Sequence, residues 1–253
     1  MRLLSDPKTN YKASKNQALQ VDTYFLSLAQ SDLSGYNVCP MANKATEKED
    51  NPNKSNCSYM CVGNNGKAQQ FPDIMKARIR KTKRFFEDKD NFMTELVVEI
   101  AKAIIKSENK NITPTFRLNS YSDIRWESVK VDRFGNNTIF ELFPDVQFYD
   151  YTKIENRNEL PNNYNLTYSH WGKWTATEKA MEKGQNVAMV FDVKKADKLP
   201  KMFKGRSVVD GDKTDLRTPQ NDGLNAIVGL RAKMSQANIN KELDKTTSFV
   251  VKA

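Results

Sequence analysis

Histidine occurs once in the 253 residues, at His170, and cysteine only three times, at Cys39, Cys57 and Cys61. A single imidazole argues against both a multi-histidine zinc site and a serine-type triad. Three thiols are an odd number for a disulfide framework and a usable number for metal. Long apolar runs are missing as well. No segment reaches the roughly 18 apolar residues of a membrane span, and the opening "MRLLSDPKTNYKASK" carries Arg2 without the apolar stretch of a signal peptide. A cytoplasmic protein with no membrane association is the expectation. There thiols stay reduced, and the Asn-x-Ser/Thr sequons at Asn111, Asn136 and Asn165 carry no sugar. Acidic residues are the scarcer charge, 31 against 40 Lys and Arg. The resulting +9 favours polyanions, acidic partners or phosphorylated ligands without choosing among them.

Apolar residues at 38% and charged residues at 28% suit a soluble globular chain with enough length for a substantial core, read as one domain over 1–253. Within it, 1–36 is an N-terminal extension with a first strand in "TYFLSL". Residues 37–66 are a cysteine segment, 72–235 a barrel-like core and 236–253 a tail. The insert "NKATEKEDNPNKSN" has no apolar residue but alanine and reads as a solvated loop. From Pro72 to Ser107 the pattern is helical, with Phe92, Leu96, Ile100 and Ile104 at every fourth position and Val97 widening a stripe suited to core packing.

Six strand-length runs follow: "TPTFRLNSY", "DVQFYDYTK", "YNLTYSH", "NVAMVFDV", "RSVVDGD" and "NAIVGLRAK". Their spacing leaves room for crossovers between most of them, which predicts an α/β fold with a parallel, partial or irregular TIM-like (β/α) barrel and a cysteine-bearing N-terminal segment at its mouth. Ligands bind at the carboxyl ends of such strands. The polar residues that end the runs, Asn119, Asp123, Asp150, Lys153, Ser169, His170, Asp192, Asp210 and Asp212, are expected to face that mouth. Asp123, Asp150, Lys153, Ser169 and Asp210 are expected around one cavity with the Cys57 to Cys61 turn.

Three constellations carry candidate chemistry. Cys39, Cys57 and Cys61 can hold a [4Fe-4S] cluster with one iron open, or zinc with His170 or water as fourth ligand, or remain unligated buried thiols. "DGDKTDLRTPQND" brings Asp210, Asp212 and Asp215 near Arg217 and Asp222, either as a Mg²⁺ or Ca²⁺ site or as ordinary turn chemistry. "KARIRKTKRFF" sets Lys76, Arg78, Arg80, Lys81, Lys83 and Arg84 on a helix. They offer phosphate contacts to nucleic acid or, since they occupy more than one face, a solvated surface.

In order along the chain, "YFLSLAQSDLSGYNVCPMAN", Cys57-x3-Cys61, the basic helix, "FRLNSYSD", "FPDVQFYDYTK", "YSHWG" and "VVDGDKTDLRTPQNDGLNAIVGLRAK" resemble the uncharacterised bacteriophage gene product 88 family, over about residues 20 to 235. That family is in turn distantly similar to radical S-adenosylmethionine enzymes, whose Cys-x3-Cys-x2-Cys loop follows the first barrel strand. Here the third position of that frame is Asn64, and Cys39 stands upstream in its place. Ser122-Asp123 stands where those enzymes carry a Gly-Gly-Glu that holds the methionine amino group. The resemblance implies an iron-sulfur protein of the infected host's cytoplasm, with Cys39, Cys57 and Cys61 as cluster ligands. Arg117, Asn119, Ser122 and Asp123 would be pocket residues and S-adenosylmethionine a companion cofactor. A basic nucleic-acid-binding accessory protein with zinc or no metal is the other reading.

Overall fold

A computed structural model describes residues 1–9, 11–42, 61, 71–157, 159–233, 236–245 and 248–253. The chain opens with β1 (Leu4–Ser5), a single helical turn α1 (Tyr11–Ser14) and β2 (Val21–Leu26). Helices α2 (Pro72–Glu87) and α3 (Lys89–Glu108) lead into β3 (Thr113–Arg117). The hairpin strands β4 (Lys130–Val131) and β5 (Asn137–Thr138), the turn α4 (Ile139–Leu142), β6 (Gln147–Thr152) and β7 (Tyr164–Ser169) come next. Helix α5 (Trp174–Glu182), β8 (Val187–Phe191), β9 (Met202–Phe203) and β10 (Arg206–Asp210) follow. The turn α6 (Pro219–Asp222), β11 (Ile227–Arg231), α7 (Gln236–Leu243) and β12 (Val250–Val251) end the chain.

All six apolar runs become strands, namely β3, β6, β7, β8, β10 and β11, because Val, Ile, Phe, Tyr and Thr fit a pleated, half-buried surface. The expected helix from 72 to 107 is instead two. Asp88, at φ −141° and ψ 54°, donates its N–H to the Arg84 carbonyl (2.9 Å) and so ends α2. Its carbonyl accepts from Phe92 N (3.0 Å) and starts α3. Pro72 opens α2 at a position where its missing N–H costs nothing.

Among the described residues ten strands form one sheet in the order β1-β2-β3-β6-β7-β8-β11-β10-β9, with β12 beside that path on β8; β4 and β5 pair separately. Every pairing from β2 to β10 is parallel, and the outermost strands β1 and β9 are antiparallel. From β2 to β8 the parallel strands lie side by side in chain order, the arrangement a (β/α) barrel uses. Beyond β8 the order reverses, since β11 lies between β8 and β10. No pairing among the described residues joins the two edges, each a two-residue antiparallel strand. The fold is therefore mixed α/β with a large, mostly parallel central sheet, and among the described residues the expected barrel closure is not seen.

Alternation along the strands gives the sheet two unlike faces. On one, Tyr24, Leu26, Phe116, Phe148, Tyr164 and Leu166 pack with Phe92, Leu96, Ile100 and Ala103 of α3, so the apolar stripe read in the sequence is core. Farther along that face, Tyr168, Val187, Met189, Phe191 and Ile227 pack with Ala176, Ala180 and Met181 of α5. The opposite face of β2, β3 and β6 is polar yet buried. Thr23 and Thr115 are hydrogen-bonded through their hydroxyls (2.8 Å), and the Asn16 amide donates to Thr23 (2.8 Å) and to Tyr149 (3.3 Å). Asp215, in the β10–β11 connection, closes this face by donating its backbone N–H to Asn16 Oδ1 (2.8 Å).

Candidate functional site

Because the central strands run parallel, their carboxyl ends lie on one side, and the turn after β3 crosses the end of β6 there. Asp150 of β6 is fully buried. Its Oδ1 accepts from Asn119 N (2.8 Å) and its Oδ2 from the Tyr164 hydroxyl (3.0 Å), while Arg117 Nε stands 3.8 Å away. Asn119 Oδ1 gathers Ser122 Oγ (2.8 Å), Ile124 N (3.0 Å) and Trp126 Nε1 (3.0 Å). Asp123 Oδ1 accepts from Thr152 Oγ1 (2.8 Å) and Arg157 Nη1 (3.2 Å), and Oδ2 from Lys153 N (2.7 Å). Arg157 also grips Glu127 through Nε (2.8 Å) and Nη2 (2.5 Å), and reaches the Tyr164 hydroxyl (3.3 Å). Arg117, Asn119, Ser122, Asp123 and Asp150 are thus one connected network, which Asn119 and Lys153 join through their backbone N–H groups, and Lys153 Nζ extends it by donating to Ser169 Oγ at the end of β7 (2.8 Å).

Burial pushes the Asp150 carboxyl up to about 7, against the pull of Arg117 and the two donated hydrogen bonds. Burial also raises Asp123, offset in part by Lys153 N, Arg157 and Thr152. For Arg117 burial acts downward, but Asp215, Tyr151 and Asp150 outweigh it and hold the guanidinium charged. Such a set can hold a proton near neutrality at Asp150 and fix the turn 118–123 in one position.

Asp210 and Asp212 belong to a second cluster. Arg231 holds Asp210 with two bonds (2.8 and 3.0 Å) and reaches Asp212 at 3.3 Å, and Lys233 pairs with Asp212 at 3.1 Å. The Arg231 bonds keep Asp210 below the ordinary carboxylate range. Asp215 takes both oxygens to Arg117 Nη1 (2.9 and 3.2 Å), and Asp222 pairs with Arg217 at 2.7 Å. Each of these four carboxylates has an arginine. Among the described residues no group of three or more His, Cys, Asp or Glu is arranged to hold a metal ion. Arg117 links the two clusters, between Asp150 on one side and Asp215 on the other.

Cys39 lies against the first cluster. Its Sγ accepts from Ser31 N (3.4 Å) and donates to the Tyr121 carbonyl (3.4 Å), and the neighbouring Val38 carbonyl accepts from Asp123 N (2.7 Å). Cys39 and Cys61 are half-buried and neither is in a disulfide. Cys57 lies outside the described residues. Beside this corner is a cleft of about 290 Å³ lined by Met41, Arg125, Ile154, Glu155 and Asn156. His170, the proposed fourth zinc ligand, is buried against α5. Its Nδ1 is 2.8 Å from Thr177 Oγ1, and its ring is 4.4 Å from that of Trp174. Burial pushes the imidazole down to about 4, against a hydrogen bond with the Ser248 backbone.

A family model described as Gene product 88 matches residues 2–251. The chain belongs to the gene product 88 family. Neither a curated protein nor a solved structure matches it. The family match takes in every residue of both clusters and all three cysteines. Arg157, Glu127, Thr152, Tyr164 and Asn16 were missed in the sequence, because each stands in a polar or aromatic context with no spacing that marks it. The one usable signal was the strand-end rule, which found the residues that Arg157 and Tyr164 bind.

Proposed function

We propose that this member of the gene product 88 family is a thiolate-metal protein of the infected host's cytoplasm, in which Cys39, Cys57 and Cys61 hold a [4Fe-4S] cluster beside the carboxyl ends of β3 and β6. The observation that carries the reading is Cys39. Of all positions for a cysteine in a thiol-poor chain, it occupies the corner where β3 and β6 end, with a backbone N–H aimed at its sulfur and a cleft alongside. Backbone hydrogen bonds to sulfur stabilise thiolate ligands of iron clusters. The bond from Sγ to the Tyr121 carbonyl belongs to the protonated thiol and is given up when metal binds. Three thiolates leave one iron of a bound cluster open to a further ligand.

In this reading Arg117, Asn119, Ser122, Asp123, Asp150, Lys153 and Ser169 are positioning residues, which fix the turn that carries Tyr121 against Cys39. Asp210 and Asp212 fix the neighbouring β10–β11 connection. The residues do not fit S-adenosylmethionine. Asp123, the residue placed to receive its ammonium group, already spends both oxygens on Thr152, Lys153 and Arg157, and Ser122 donates to Asn119.

Protein purified without oxygen should be brown, absorb broadly near about 400 nm and contain iron with acid-labile sulfide, and Cys57→Ala should lose all three properties. Zinc at one atom per chain, lost in the same variant, would replace the cluster by a structural zinc site. Colourless protein free of both metals would overturn the reading.

A further inference from the structure

We infer that one face of α2, together with the stacked rings of Tyr36 and Phe86, is a binding surface for single-stranded nucleic acid. The structure sorts the six cations of this helix into two sets. Arg78, Lys81 and Arg84 are turned toward the protein. The Arg78 guanidinium lies 4.0 Å from the Tyr121 ring centroid. Lys81 Nζ donates to the Leu3 carbonyl (2.6 Å), and burial lowers that amine to about 8. Arg84 pairs with Glu95, and with Asp88 at 3.7 Å. Lys76, Arg80 and Lys83 are exposed, and their spacing of four and then three residues puts them in a single row along the helix. A rise of about 1.5 Å per residue spreads that row over about 10 Å. Two acidic residues border the row: Asp73 pairs with Lys76 at 3.3 Å with both side chains largely in solvent, and Glu87 accepts from the Tyr36 hydroxyl (3.0 Å), which leaves Arg80 and Lys83 as the cations for phosphate.

Three residues beyond Lys83 the row runs into Phe86, which is 41% exposed. Its ring and that of the half-buried Tyr36 are 4.5 Å apart and within 6° of parallel. Two aromatic rings held flat against each other at the surface, at the end of a row of cations, combine a stacking platform for bases with contacts for phosphates. That combination binds single strands without reading sequence. A duplex keeps its bases stacked inside and gains only the phosphate contacts.

The test is fluorescence anisotropy of the full-length chain with a labelled oligo(dT) of about 20 nucleotides at about 0.05 M salt, where phosphate contacts are strong. Wild type should bind, and more tightly than it binds a duplex of equal length. Arg80→Glu combined with Lys83→Glu should weaken binding at least about tenfold and flatten the dependence of log K on log salt by about 1.4, the value for two lost contacts to a single strand. Phe86→Ala should weaken it about 5- to 150-fold with the salt slope unchanged, as loss of one stacked base does. Lys110→Glu, an exposed change at the far end of α3, should leave it intact. Lys76→Ala, at another exposed position, gives a milder second reading of the row should the double reversal perturb the helix. Binding of oligo(U) in place of oligo(dT) supports the same surface. A wild type that ignores both strands, affinity unmoved by the double reversal, or equal competition by polyglutamate of the same charge would each overturn the inference.

Discussion

Two buried groups on the same sheet titrate in opposite senses. His170 is held neutral, its imidazole pushed by burial down to about 4. Between that value and the ordinary 6.5 the unfolded chain takes up a proton that the folded chain refuses, so stability falls as pH drops through this window, by about 3 kcal/mol at most. Asp150, pushed by burial up to about 7, does the reverse. Folded, it keeps a proton that an unfolded carboxyl releases near pH 4, so its contribution falls as pH rises from about 4 to about 7. The two slopes oppose each other in nearly the same window, and the wild-type profile should be shallow there. In His170→Gln the Asp150 slope is no longer offset by the histidine, and the raised Asp123 adds to it in the same sense. Urea denaturation at about pH 5 and about pH 7 should then show the variant losing stability as pH rises while wild type changes little. A variant that loses stability on acidification instead would show that Asp150 is ionised in the fold across this range. At this scale the sequence told part of the story. Asp150, Asn119 and Asp123 were named as strand ends, and Arg117 and Ser122 as pocket residues only through the family resemblance. Arg157 was not, since an arginine in "YTKIENRNELPNN" looks like any solvated loop cation until the fold carries it to Asp123 and Glu127.

The elements were read most reliably where a periodic pattern runs long enough to exceed chance. The stripe on α3 is the clearest case, and it makes a quantitative demand. Leu96 is fully buried among Phe92, Ile100 and the aromatic residues of β2, β3 and β6, so Leu96→Ala should cost about 2–5 kcal/mol by thermal or urea denaturation. Ile105, 58% exposed on the same helix, should tolerate the same change within about 0.5 kcal/mol. Equal costs would mean that the stripe packs differently from the described core. Two-residue strands such as β1, β9 and β12 were invisible, because two residues carry no period. They exist because a neighbouring strand offers them a ladder. The division of one expected helix into α2 and α3 was hidden for a different reason. The polar stretch around Asp88 interrupts no apolar position of the stripe, which begins at Phe92, so the pattern reads on unbroken. Gly229 in β11 marks a closeness that the run "NAIVGLRAK" did not reveal, since a β-carbon there would lie 2.7 Å from Val208 Cγ1 of β10.

Across the whole molecule, the sheet joins two apolar clusters with little overlap. One lies around α3, the other around α5, and they meet at β7, which gives Leu166 to the first and Tyr168 to the second. The pairing there is thin. Strands β7 and β8 share two register positions, Tyr168 with Val187 and Ser169 with Ala188, before β12 takes over beside Val190 and Phe191. On the polar face a second tie crosses between the halves: Arg117, from β3, holds Asp215, from the connection that follows β10, while also facing Asp150. Arg117→Met leaves two buried carboxylates without their cation, a loss of about 3–5 kcal/mol, and removes that tie. The tryptophans report on each half separately, because Trp126 belongs to the first cluster while Trp171, with Trp174 packed beside it, belongs to the second. In a Trp126→Phe background fluorescence follows the second half, and with Trp171 and Trp174 both changed to Phe it follows the first. With Arg117 present the two urea transitions should coincide, as one cooperative unit requires. With Met at that position they should separate, the half around α5 unfolding first, since it has lost the ion pair and keeps the short β7–β8 ladder and single hydrogen bonds such as Asp215 N to Asn16. Transitions that still coincide after the substitution would mean that the ladder and the remaining hydrogen bonds couple the halves and that the Arg117–Asp215 pair holds only its own loop.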